Sequence, residues 1–110
     1  MARLNYVEMA TADTARDRAF YEAAFGWAMT AYGPSYAATT TGDVDLGIDG
    51  DLPAGTAPLP VIEVDDLEAA QVMVEAAGGV VTVAAFGFPG GRRFHFADPS
   101  GNLLAVMQAG

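Results

Sequence analysis

The order of apolar and polar positions along the chain predicts eight short strands and two helices. Leu4 to Met9 reads as the first strand, because aromatic and β-branched residues favour extended backbone. Successive side chains of a strand point to opposite faces, so Tyr6 and Glu8 share one face and Val7 and Met9 the other. Asp13 can then cap a helix by accepting from early backbone N–H groups, and Gly26 can end it by tolerating positive φ. This helix is expected to turn Ala15, Ala19, Phe20, Ala23 and Ala24 toward packing positions. Trp27 to Ala31, Tyr36 to Thr40 and Val44 to Ile48 supply three more strands, separated by turns at Gly33-Pro34 and Gly42-Asp43.

Between Asp49 and Pro58 the strand pattern gives way to Asp, Gly and Pro, which marks a linker. Leu59 to Val64 reads as the fifth strand, and Asp65-Asp66 opens a second helix. In that helix Leu67, Ala70, Val74 and Ala77 fall on one apolar stripe, and Gly78-Gly79 closes it. Val80 to Ala84, Arg92 to Phe96 and Leu103 to Met107 complete the set, with Gly87, Pro89, Gly90 and Gly91 read as a long hairpin loop. A shift of 52 positions lays Asp13 on Asp65, Ala24 on Ala76 and Gly26 on Gly78. The chain therefore states one half-domain twice. The expected fold is α+β: two βαβββ modules, residues 3–50 and 57–108 joined by 49–58, forming a sheet-lined cup with the helices outside. Function belongs in the cup.

Composition narrows the classes. A length of 110 residues suits one domain, and 52% hydrophobic content can fill its core with some apolar surface left for a homodimer interface. The absence of cysteine excludes thiol catalysis and a disulfide framework. No apolar run approaches the roughly 18 residues that span a bilayer, and the N-terminus shows no apolar signal segment, so a cytoplasmic protein without membrane contact is expected. Fourteen acids against five arginines give a net charge of −9, which argues against nucleic acid as a partner. A GxxxxGK[ST] phosphate loop is absent, Gly87 to Gly91 lack the helix of a dinucleotide fingerprint, and Ser35 and Ser100 lie in turns without an ordered catalytic triad.

Three segments, Phe20-Tyr21-Glu22-Ala23-Ala24-Phe25-Gly26-Trp27, Val64-Asp65-Asp66-Leu67 and Asp98-Pro99-Ser100-Gly101-Asn102, resemble the vicinal oxygen chelate family of glyoxalases, bleomycin-resistance proteins and extradiol dioxygenases. The resemblance covers nearly the whole chain. It implies the paired-module fold and a two-fold dimer, but not one chemistry, because binding, isomerisation, ring cleavage and group transfer all occur on this frame. It also implies where a metal would bind: metal-dependent members place His at the position of Tyr6, His at that of Leu59 and Glu at that of Ala105, and a fourth ligand position falls in Val44 to Ile48, where Asp45 is the one ionisable residue. A phenol, an alkyl group and a methyl group do not supply that donor set. No metal and no cofactor are expected, although Glu8, Glu63 and His95 are the donors a displaced site would use.

The expectation is metal-independent binding of a small, partly aromatic or apolar molecule, with antibiotic sequestration as one form. Tyr6, Glu8, Trp27, Leu59, Phe88, Arg93, His95 and Ala105 are the candidate ligand-binding residues. Tyr6 and Tyr36 offer hydroxyls and ring faces, Arg93 an anion clamp, and Trp27 with Phe86 or Phe88 an apolar wall. Glu8 and His95 are the candidates for proton transfer in the alternative reading, a glyoxalase-like isomerase or lyase. A third reading is an assembly or regulatory protein without small-molecule chemistry.

Overall fold

A computed structural model describes residues 2–110. The chain divides into two compact units, one of Tyr6–Pro58 and one of residues 2–5 with Leu59–Gly110. Each unit is a βαβββ module, as the repeat predicts.

The first unit contains the main part of β1 (Arg3–Ala10), then α1 (Thr14–Phe25), β2 (Met29–Ala31), β3 (Tyr36–Thr39) and β4 (Asp45–Asp49). Its strands lie in the order β2-β3-β4-β1, with β4 antiparallel to β3 and parallel to β1. Asp13 accepts from the Arg16 N–H at 3.0 Å, and Gly26 takes up φ 70° at the other end of α1, so both ends form as the sequence specifies. Buried Met29, Ala37 and Ile48, with Tyr21 and Leu46 against them, make the core.

The face that α1 buries is not the expected one. Ala15, Ala19, Phe20, Ala23 and Ala24 are exposed, whereas Thr14, Asp17, Arg18, Tyr21 and Glu22 are half-buried. Polar tethers fix this rotation. Thr11 Oγ1 donates to Asp17 at 2.5 Å, Thr14 Oγ1 to the Ser35 carbonyl at 2.9 Å, and the Met29 N–H to Glu22 at 3.2 Å. With these bonds on the inner side, Tyr21 alone of the helix's large side chains reaches the core, and no residue of α1 is fully buried.

In the second unit β5 (Leu59–Glu63), α2 (Leu67–Ala76), β6 (Val80–Phe88), β7 (Gly91–Ala97) and β8 (Leu103–Ala109) follow one another, and the strands lie in the order β5-β8-β7-β6. Leu67, Phe94, Phe96 and Val106 form a buried cluster, with Ile62, Val64, Ala70, Val74, Val81 and Leu104 packed on it. The apolar stripe of α2 therefore docks as read, except that Ala77 has left the helix and stands exposed at its C-cap. Asp66, not Asp65, is the N-cap, accepting from the Ala69 N–H at 3.0 Å. Gln108 on β8 accepts from the Leu67 N–H at 2.8 Å, adding a long-range cap. The loop expected between β6 and β7 is shorter than it reads: Gly87 and Phe88 pair with Arg92 and Gly91, leaving Pro89-Gly90 to turn the chain. Two register shifts in β6 increase local twist and let Val83 oppose His95 and Phe86 oppose Arg93. Asp98 holds the turn before β8 by accepting from the N–H groups of Ser100 and Asn102, each at 2.9 Å.

Candidate functional site

On the first unit, the β1–β4 register sets Tyr6 beside Asp45 and Glu8 beside Gly47. Tyr36 on β3 reaches the same face. Its hydroxyl lies 2.5 Å from that of Tyr6 and donates to Glu8 Oε2 at 3.1 Å. Glu8 is only 8% exposed, and a buried carboxylate needs such donors to offset lost hydration. Gly47 makes the arrangement sterically feasible, since a Cβ there would stand 1.9 Å from the Tyr6 hydroxyl and 2.3 Å from that of Tyr36. Burial raises the pKa of both phenols, so each keeps its proton well into the alkaline range.

Asp45, the one ionisable residue of its strand region, is committed elsewhere. It accepts from Thr39 Oγ1, Thr41 Oγ1 and the Thr41 N–H, each at 2.8 Å, and from the Gly42 N–H at 3.0 Å, tying the β3–β4 turn. Burial pushes its pKa up, but the donors from Thr41, Thr39 and Gly42 outweigh that and hold it below the usual carboxylate range.

Trp27 does not join Tyr6 and Glu8. It stacks on Tyr21, with ring centroids 5.7 Å apart, and meets Phe25 at 5.3 Å. Together with Val7, Thr39, Val44 and Leu46 it lines a partly open, mainly apolar recess of about 400 Å³. Val7 alternates with Tyr6 and Glu8 along β1, so this recess lies on the helix side of the sheet.

On the second unit, His95 pairs with Ala105 and Ala105 with Val61, while Arg93 pairs with Met107. Alternation puts these side chains on the face away from the Phe94 and Phe96 core. Leu59, two positions before Val61, belongs to the same face and is half-buried, and Ala105 is completely buried. The Arg93 guanidinium sits 5.3 Å from the ring centres of both Phe86 and Phe88. Phe86 also meets the His95 ring at 5.8 Å. Its neighbour Arg92 turns outward and pairs with Glu68 of α2. Burial, and next the Arg93 charge, lowers the His95 pKa and favours neutral imidazole. His95 Nε2 is buried and meets no hydrogen-bond partner among the described residues, an unmet polar demand.

The residues expected at a family-type metal site do not fit a divalent ion. Tyr6 is hydrogen-bonded to Tyr36, Leu59 and Ala105 have no donor atoms, and no group of three His, Cys, Asp or Glu that could hold an ion occurs among the described residues. No helix among them is long and apolar enough to cross a membrane. The residue that sequence reading passed over is Gly47. A glycine inside a strand signals close approach of another group, here two hydroxyls.

A family model described as the Glyoxalase/Bleomycin resistance protein/Dioxygenase superfamily matches residues 3–106. Comparison with curated proteins finds no match. Among solved structures, a superfamily member from Vibrio splendidus 12B01 superposes with TM-score 0.71 at 19% identity, over 99% of each chain. Methylmalonyl-CoA epimerase from Mycobacterium tuberculosis superposes with TM-score 0.71 at 17% identity, over 97% of this chain and 87% of that one. The Mn(II)-bound glyoxalase from Novosphingobium aromaticivorans gives TM-score 0.72 at 22% identity, over 98% of this chain but 40% of its own. At these identities the likeness establishes the fold.

Proposed function

We propose, for a chain that belongs to the glyoxalase/bleomycin resistance protein/dioxygenase superfamily, metal-independent binding of a small, partly aromatic or apolar molecule. The observation that carries this reading is the Tyr6–Tyr36–Glu8 array. It stands where a metal ligand would begin in metal-dependent relatives, yet its phenols offer ring faces and hydrogen bonds instead of metal donors. Polar groups on a half-buried sheet face are costly to maintain, and a ligand that engages them supplies a reason for keeping them. The unmet hydrogen-bonding capacity of His95 on the second unit supports the same reading. Catalysis with His95 as proton acceptor is the second reading, favoured by its lowered pKa.

Equilibrium dialysis of the folded, chelator-treated chain against a panel of small aromatic and apolar compounds tests the first reading. At least one compound is expected to bind, and Tyr6→Phe should weaken it by about fivefold, the worth of one hydrogen bond. Binding that vanishes with chelator, or a panel without a single binder, would sink the proposal.

A further inference from the structure

We propose that the Tyr6 hydroxyl acts as a hydrogen-bond acceptor for the ligand, so that this face selects small aromatic molecules carrying a hydroxyl, amide or ammonium hydrogen. The proposal rests on the binding function above and assigns the chemical class of its ligand.

The direction of the array follows from counting hydrogens. A carboxylate carries only lone pairs, so the 3.1 Å contact between Tyr36 and Glu8 Oε2 consumes the single hydroxyl hydrogen of Tyr36. Tyr36 therefore has only lone pairs to offer Tyr6, and the 2.5 Å bond between the two phenols must use the hydrogen of Tyr6. What remains at Tyr6 is acceptor capacity, and no described residue donates to it. Bonds aligned in this sense polarise one another toward the carboxylate, which strengthens the outermost oxygen as an acceptor. Gly47 keeps that oxygen low over the strand, and Tyr6 as a whole is half-buried. A ligand offering only a lone pair would meet another lone pair at this point.

Phenol, anisole and toluene separate the cases, since they share one ring and differ in carrying a donor, an acceptor alone, or neither. Each is titrated into the isotope-labelled full chain while the Gly47 amide signal is followed by NMR. Phenol should bind about fivefold more tightly than anisole or toluene, the effect of one neutral hydrogen bond. In Tyr36→Phe the hydrogen of Tyr6 loses its acceptor and becomes available, so the preference for phenol over anisole should collapse. Tyr6→Phe should abolish it as well and guards against a Tyr36 variant that fails to fold. Anisole binding the native chain as tightly as phenol would overturn the assigned polarity while leaving the binding function standing. If none of the three binds while another compound of the dialysis panel does, the assignment of this ligand class falls and the binding function stands.

Discussion

The two modules have the same order of elements but divide their residues differently between the core and the sheet face turned away from the helix. The second unit packs Phe94, Phe96 and Val106 against Leu67, Ala70 and Val74 of α2, whose apolar stripe docks apart from Ala77. The first relies on Met29, Ala37 and Ile48, and its helix is held by hydrogen bonds that the Asp17 and Glu22 side chains accept more than by apolar burial. On the sheet faces turned away from the helices the contrast reverses. The first unit carries a continuous hydrogen-bonded array, whereas the second carries alkyl groups, an arginine between two phenyl rings and a histidine with an unmet nitrogen. Repetition of topology has left packing mainly to one copy and hydrogen-bonded chemistry mainly to the other.

The strongest way to break that comparison is to empty each core in turn. Phe94→Ala should destabilise the protein by about 3–5 kcal/mol in urea unfolding, the usual effect of deleting a buried ring. Ile48→Ala should fall toward the lower end of about 2–5 kcal/mol, because its neighbour Ala37 leaves less structure to hold a cavity open. Equal or inverted losses would show that the packing difference has no energetic counterpart.

Gly47→Ala examines the polar copy. The added methyl must displace Tyr6, Tyr36 or both, for an expected loss of about 1–3 kcal/mol. Combining it with Tyr6→Phe, which removes the closest atom, should recover part of that loss, and thermal melts of the single and double variants would reveal the non-additivity.

A smaller effect concerns His95. Its pKa is lowered in the folded state from an ordinary value of 6.5, so the unfolded chain takes up its proton first as the pH falls. The contribution is therefore fully present above pH 6.5 and is lost as the pH falls through the folded value. Unfolding midpoints measured through that window should decline less steeply for His95→Gln than for the native chain. Parallel curves would contradict the assigned neutral imidazole.

Much of the fold was legible because its signals are local. Asp13, Gly26 and the α2 stripe act within one or two turns of chain, and strand alternation alone assigned Arg93 and His95 to the face opposite Phe94. The rotation of α1 was not legible, because its apolar residues suggest one face while Asp17 and Glu22 find partners at Thr11 and Met29, outside the helix. Trp27 follows the same logic: its position depends on which way Tyr21 points. The extra length of β6 escaped for another reason. Gly87, Pro89, Gly90 and Gly91 dominate the composition there, yet a strand accommodates Gly87, and Pro89-Gly90 suffice to turn it. At the site, Tyr6 and Glu8 follow from alternation, but their link through Tyr36 depends on strand order, which brings residue 36 across β4.

The bond from the Leu67 N–H to Gln108 has a bearing on biosynthesis. Neither the start of α2 nor the β5–β8 pairing can be completed until residue 108 has left the ribosome. The unit ending at Pro58 has all its partners roughly 50 residues sooner, an interval of about 3–10 s at ordinary elongation rates. The copy with the smaller core must therefore persist first, with the Phe20 and Phe25 rings facing solvent or a chaperone, while the copy with the larger core waits for its last strand.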